Sequence, residues 1–111
     1  MCEAALQLPP FENGSLIMID MDPTQFLTDG GRLTALVDTE AYAVGPCELD
    51  FIALEYVLDQ RGAAALTKGY NTIRPLPDLS RVRSVYRYFC RLIGIQKKTD
   101  LETWMAQPVL F

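Results

Sequence analysis

The sequence predicts one small α+β domain, with short strands in its first third and helices after them. Three features carry that expectation. A short apolar run, Leu16 to Ile19, lies between turn residues, as a buried strand does. Two more strand-like segments flank Asp29-Gly30-Gly31-Arg32, the pattern of a tight β-hairpin. From Glu48 onward the apolar residues recur at helical spacing.

Taken in order, residues 1–15 read as an irregular lead-in, because Pro9-Pro10 and Asn13-Gly14 are turn signals. The strand over 16–19 ends in Asp20, and Pro23 interrupts the chain again. The hairpin is expected over about 25–38, with Asp38 directly after its second strand. Leu49, Ile52, Ala53, Tyr56 and Val57 predict a first helix, with Glu48 and Asp50 in its first turn and Gly62 as its stop. Ala63 to Tyr70 forms a second short helix, and Ile73 to Pro77 a loop. Asp78 or Ser80 caps the next helix. Its stripe is Val82, Val85, Tyr86, Phe89, Leu92 and Ile93, and Gly94 ends it. Thr99-Asp100-Leu101-Glu102 fits a capping box for a last helix through Met105, and Pro108 follows. The segment 48–107 therefore holds three to four helices, in a single domain over 1–111.

With 111 residues, half of them apolar, the chain can bury a core, though a small one. A net charge of −4 argues against a nucleic-acid partner. No apolar run reaches about 18 residues, so no membrane span is expected. The opening Met-Cys-Glu-Ala-Ala-Leu lacks the basic and long apolar parts of a signal peptide. Cys2, Cys47 and Cys90 are odd in number and form no C-x-x-C motif, which suits free thiols in the cytoplasm. Cys90 falls on the apolar side of its helix and reads as core. The chain has no histidine. That removes Ser-His-Asp and Cys-His catalysis and His-based zinc sites, and leaves oxygen ligands and hard cations.

The residues able to carry chemistry are Asp20, Gln25 and Asp38. Asp20 follows one strand, Gln25 opens the hairpin, and Asp38 ends it. Pairing of the hairpin brings Gln25 and Asp38 to one end, with Asp20 in the loop entering it. Oxygen ligands at such an edge suit Mg²⁺. Acidic residues at strand ends are also common, and pattern alone favours solvated turn carboxylates.

The segment Leu16-Ile17-Met18-Ile19-Asp20-Met21-Asp22-Pro23-Thr24-Gln25, followed by the hairpin and Asp38, resembles the catalytic segment of aminoglycoside phosphotransferases and choline-kinase-like enzymes. Those carry an apolar strand, His-Gly-Asp, a short Pro-containing loop reaching Asn, a hairpin and a metal-binding Asp. The resemblance continues through Gly45 to Asp50, and more loosely through Lys68-Gly69-Tyr70, Pro75, Arg83, Tyr86 and Arg87, over roughly residues 14–94. It implies a protein-kinase-like C-lobe and an ATP-dependent phosphorylation of a small-molecule hydroxyl. It implies that Asp20 is the catalytic base, that Gln25 and Asp38 hold Mg²⁺, and that Asp50 supports the catalytic loop.

Several positions depart from the pattern. Met18 and Ile19 stand where His and Gly are usual, Gln25 is one methylene longer than Asn, and Asp22 adds a charge to the loop. Only 19 residues precede Asp20, with no Gly-rich loop and no Lys among them. The chain by itself is therefore expected to bind ATP poorly and to be inactive, as a C-lobe that is either truncated or completed by a separate polypeptide carrying the nucleotide lobe. The alternative is a non-catalytic binding or oligomerisation module of the same fold, with a homodimer as the expected assembly. A third reading is an unrelated small α+β domain that matches the motif by chance, and a structure without a hairpin between residues 25 and 38 would remove the other two.

Arg83, Arg87 and Arg91 repeat every four residues, and their expected place is a solvated helix face rather than an anion site. Tyr86 and Phe89 read as core and Tyr88 as surface. Trp104, Met105 and Val109-Leu110-Phe111 form an apolar tail that either docks back on the domain or marks a partner surface.

Overall fold

In the computed structural model, which describes residues 2–8, 14–19, 22–37, 42–94 and 99–111, Gly30 and Gly31 take φ of +56° and +78°. Both signs are those a two-residue hairpin loop requires. They join β2 (Phe26–Asp29) to β3 (Arg32–Leu36), which pair antiparallel from Asp29 opposite Arg32 to Phe26 opposite Leu36. The register shifts between Leu27 and Thr28, and the Thr34 hydroxyl donates to the Leu27 carbonyl there. The Val37 N–H donates to the Gln25 carbonyl at 2.9 Å, so pairing runs one residue beyond β2 and β3.

β1 (Ser15–Ile17) pairs antiparallel with β4 (Ala43–Gly45) in a separate two-stranded sheet. Residues 43–45 carry no strand signal of their own, being only three and followed by Pro46. Gly45 allows a close approach: a Cβ there would lie 2.7 Å from Cδ1 of Ile17, and the tip of that side chain would have to shift. The whole is a small α+β fold.

Two helix expectations need correction. The lead-in is not wholly irregular, since Cys2–Leu6 forms α1. Gly62 is not a stop. α2 runs only over Cys47–Leu54, and α3 over Gln60–Tyr70 begins before Gly62. Asp59 caps α3, its carboxylate accepting from Gly62 N–H at 2.7 Å. The turn at 55–58 keeps helical i→i−4 bonds from Glu55 to Phe51 and from Leu58 to Leu54. The apolar period therefore reads straight through it.

α4 (Arg83–Leu92) ends before Gly94, which takes φ +87° as expected of a helix stop. Its N-cap is Val82, without a side-chain cap bond. The carboxylate of Asp78, an expected cap, accepts from Ser80 N–H instead. α5 (Leu101–Met105) is capped by Asp100 rather than Thr99. The Asp100 carboxylate accepts from Thr103 N–H at 3.0 Å and from the Thr103 hydroxyl at 2.7 Å.

The core lies between α2, α4, α5 and β1. Ile52, Cys90 and Trp104 are its fully buried large side chains, and Ile17, Leu49 and Leu79 surround them. Each such apolar side chain contributes about 1.5–3 kcal/mol by leaving water. Trp104 stacks on Tyr56 with ring centroids 3.5 Å apart, and its indole N–H donates to the Arg87 carbonyl at 2.7 Å. The C-terminal tail thus docks back on the domain.

The orientation of α4 bears out the start of the expected stripe, with Val82 buried and Tyr86 packed on the core, and overturns its end. Phe89, Leu92 and Ile93 are 42%, 67% and 43% exposed, while Arg87 is 4% exposed beside the fully buried Cys90. Arg83 and Arg87 are not a solvated face. Arg87 Nη2 lies 2.7 Å from Glu55 Oε2, and Arg83 contacts Glu55 Oε1 at 3.3 Å. The remaining bonds hold the tail: Arg87 donates to the Met105 and Pro108 carbonyls, Arg83 to the Phe111 carbonyl, and Leu110 N–H to Glu55. A buried charge is tolerated only when paired and hydrogen-bonded, and Glu55 meets that condition.

Candidate functional site

The segment leaving β1 is anchored from α2. The Asp50 carboxylate accepts from Met18 N–H at 2.8 Å and from Ile19 N–H at 2.9 Å. Asp50 is in the first turn of α2, where the positive helix end favours a carboxylate. Burial raises its pKa, and the two N–H bonds work the other way.

Ile19 takes φ +65°, alone among the described non-glycine residues in having a positive φ. A β-branched side chain is strained in that region. Asp50 holds the N–H of this strained residue and of its predecessor. This is also the position at which the phosphotransferase pattern places glycine.

Asp20 and Asp38, the expected base and metal ligand, lie outside the described residues. Their neighbours Ile19 and Val37 are described. Gln25 closes a single 3-10 turn (Pro23–Gln25) and is 9% exposed. Its side-chain oxygen accepts from Asp22 N–H at 3.4 Å. Its main-chain carbonyl accepts from Val37, so Gln25 lies across the hairpin from the residue preceding Asp38. Asp22 is exposed and turned back on its own loop, accepting from Thr24 N–H at 2.9 Å and the Thr24 hydroxyl at 2.8 Å. Those two bonds lower its pKa. Among the described residues no group of three or more His, Cys, Asp or Glu could hold a metal.

Two open cavities flank α2. One, of about 400 Å³, has Asp50, Phe51, Cys47, Tyr70 and Arg74 in its lining. The other, of about 380 Å³, lies between Asp22 and Phe26 on one side and Val57 and Leu66 on the other. Leu54 and Leu66 line both. Their volumes are those of small-molecule sites. Burial and the neighbouring Glu48 carboxylate push the Cys47 thiol up, which disfavours its thiolate form.

Sequence reasoning misses Glu55 and Arg74. Glu55 sits inside a helical apolar period and reads there as a surface position. Arg74 lies in a Pro-rich loop with no motif around it. Among the described residues, no helix is long and apolar enough to cross a membrane. Comparison with protein-family models, curated protein sequences and solved structures finds no match to this chain.

Proposed function

We propose that the chain carries the catalytic-loop half of a kinase-like phosphotransferase acting on a small-molecule hydroxyl. One observation supports this above the others: Asp50 binds the N–H groups of Met18 and Ile19, the two residues before Asp20. An ordinary strand-end carboxylate needs no such anchor. A general base does, because proton transfer requires the carboxylate to be held within hydrogen-bond reach of the hydroxyl. The positive φ of Ile19 fits a loop turned sharply just before its working residue.

In this reading Asp20 accepts the proton of the acceptor hydroxyl as that oxygen attacks the terminal phosphorus of ATP. The side-chain oxygen of Gln25 and the carboxylate of Asp38 supply oxygen ligands of the kind Mg²⁺ takes. Gln25 has the chemistry for that role, an amide oxygen on the residue before β2, which in the structure accepts from Asp22 N–H at 3.4 Å. The bound ion supplies positive charge beside the phosphates. The nucleotide-covering lobe comes from other sequence or a second polypeptide, and the chain alone is inactive. A cytoplasmic setting suits the substrate ATP.

Calorimetric titration of the isolated chain with Mg²⁺, alongside Asp38→Asn, tests the metal site that this reading requires. Heat that requires Asp38 supports the reading. Silence from both proteins into the millimolar range removes it.

The second reading is a non-catalytic module that binds a partner or a second copy. The exposed hairpin favours it: Phe26, Leu27, Leu33, Leu36 and Val37 are 37–63% exposed on adjoining strands. A stable oligomer in sedimentation, indifferent to metal, supports this reading over the first.

A further inference from the structure

We infer that the cavity beside α2 that Arg74 lines binds a small organic carboxylate, with its anionic end on the Arg74 guanidinium and its carbon body over Phe51, Leu54 and Leu66. The cavity holds about 400 Å³, which suits an aromatic acid or a short fatty acid. Its wall is mostly apolar, with Ser15, Cys47, Asp50, Tyr70 and Arg74 as the polar members, drawn from separate parts of the chain. A small-molecule site needs that mixture, apolar surface to take the body and a few polar groups to orient it.

The apolar side is built on the core. Phe51 is one of the core's buried residues, and Leu54 and Leu66 pack against that core. The Tyr70 ring meets Phe51 edge to face, with centroids 5.0 Å apart. At the rim, Leu16 and Ile73 are 69% and 82% exposed. A carbon body lying there covers apolar surface otherwise left to water.

The charge selects an anion. Arg74 follows α3, and its main-chain N–H donates to the Tyr70 carbonyl at 3.1 Å, which fixes the backbone at the cavity edge. Among the described residues both ion pairs run to Glu55, from Arg83 and Arg87, and none reaches Arg74. The Cys47 thiol and the Tyr70 phenol both feel the Arg74 charge, yet burial pushes both up, so they are neutral at neutral pH. The Asp50 carboxylate is the other charged group in the wall, and its two oxygens accept from Met18 and Ile19 N–H. Arg74 therefore has no carboxylate of its own among these groups, and the planar fork of a guanidinium matches one. A phosphate dianion takes more donors than one guanidinium and a phenol in an apolar wall supply. The site is independent of Asp20 and Asp38 and stands whether or not the chain transfers phosphate.

The test titrates the ¹⁵N-labelled full chain with sodium phenylacetate and with sodium hexanoate at constant ionic strength, read by backbone amide shifts. Phenylacetamide and hexanamide, the uncharged matches, form parallel arms. Saturable shifts centred on Phe51, Leu66, Tyr70 and Arg74 are expected for at least one acid, with half-saturation in the millimolar range or below. Its amide should bind at least about tenfold more weakly, as loss of a charge-assisted hydrogen bond implies. Arg74→Gln, at an exposed position outside the described helices, keeps the fold. It should weaken the acid by the same factor and leave the amide unchanged. Silence from both acids overturns the proposal. So does an amide that binds as tightly as its acid, or acid binding that is indifferent to Arg74→Gln.

Discussion

Glu55 and Arg87 meet at 2.7 Å, side chains 0% and 5% exposed, 32 residues apart in the chain. The pair joins the turn after α2 to the middle of α4, and through Arg87 to the tail. Removing one partner strands the other charge in the interior. Glu55→Ala is expected to lower unfolding free energy by about 3–5 kcal/mol, a large part of a small domain's stability. Urea denaturation followed by Trp104 fluorescence measures it, because the single tryptophan sits against the same cluster.

Ile19 predicts an inverted ranking. Gly is ordinarily less stabilising than Ala by about 0.5–1 kcal/mol. At φ +65° the order should reverse, with Ile19→Gly more stable than Ile19→Ala by about 1–2 kcal/mol, the cost of a Cβ in that region. The comparison of two truncations cancels the loss of the isoleucine side chain. Equal stabilities would mean the loop relaxes away from the strained geometry.

Asp50→Asn keeps the size but offers only one oxygen to two N–H groups. A cost of about 1–3 kcal/mol follows from leaving one donor unsatisfied. Hydrogen exchange at Met18 and Ile19 should accelerate, while the amides of α4 remain as protected relative to global unfolding as before. If the proposed function holds, the same variant loses activity in a completed enzyme by misplacing Asp20.

Cys90 sets an alkaline limit. Burial pushes its thiol from 9.0 up to about 12, with the Asp50 charge adding to the effect. Above pH 9 the unfolded chain releases this proton while the folded chain keeps it. Stability therefore falls as pH rises from 9 towards 12. The Tyr56 phenol, also raised by burial, adds to the loss above pH 10. Cys47, whose thiol burial and Glu48 likewise raise, contributes in the same direction. Thermal melts should show a shallower fall between pH 9 and 10 for Cys90→Ala than for the wild type.

The features legible in the sequence are those set by local chemistry. Asp29-Gly30-Gly31 can hardly do other than turn, so residue type alone places the hairpin. Gly94 as a helix stop rests on the same kind of reason. What stays hidden depends on partners far along the chain. β4 is three residues whose pairing is with Ser15–Ile17, and nothing within 43–45 announces a strand. The Arg83 and Arg87 pattern is indistinguishable from a solvated face until Glu55 is known to lie inside. Burying those arginines rotates α4 and sends Phe89 and Leu92 outward. In the candidate site, Asp50 is singled out by resemblance and lies against residues 18 and 19. Asp20 and Asp38 fall outside the described residues, so their juxtaposition rests on the sequence.

The Glu55 cluster has a consequence for how the chain is made. On the ribosome residues emerge in order, at about 5–20 per second. Glu55 appears well before Arg83 and Arg87, and the Leu110 N–H that completes its shell comes 55 positions later. Until Arg83 and Arg87 have been made, α2 would have to bury an unmatched carboxylate, which the interior resists. Closure of the core around α2 is therefore expected to wait for α4, with the Leu110 N–H completing the shell last.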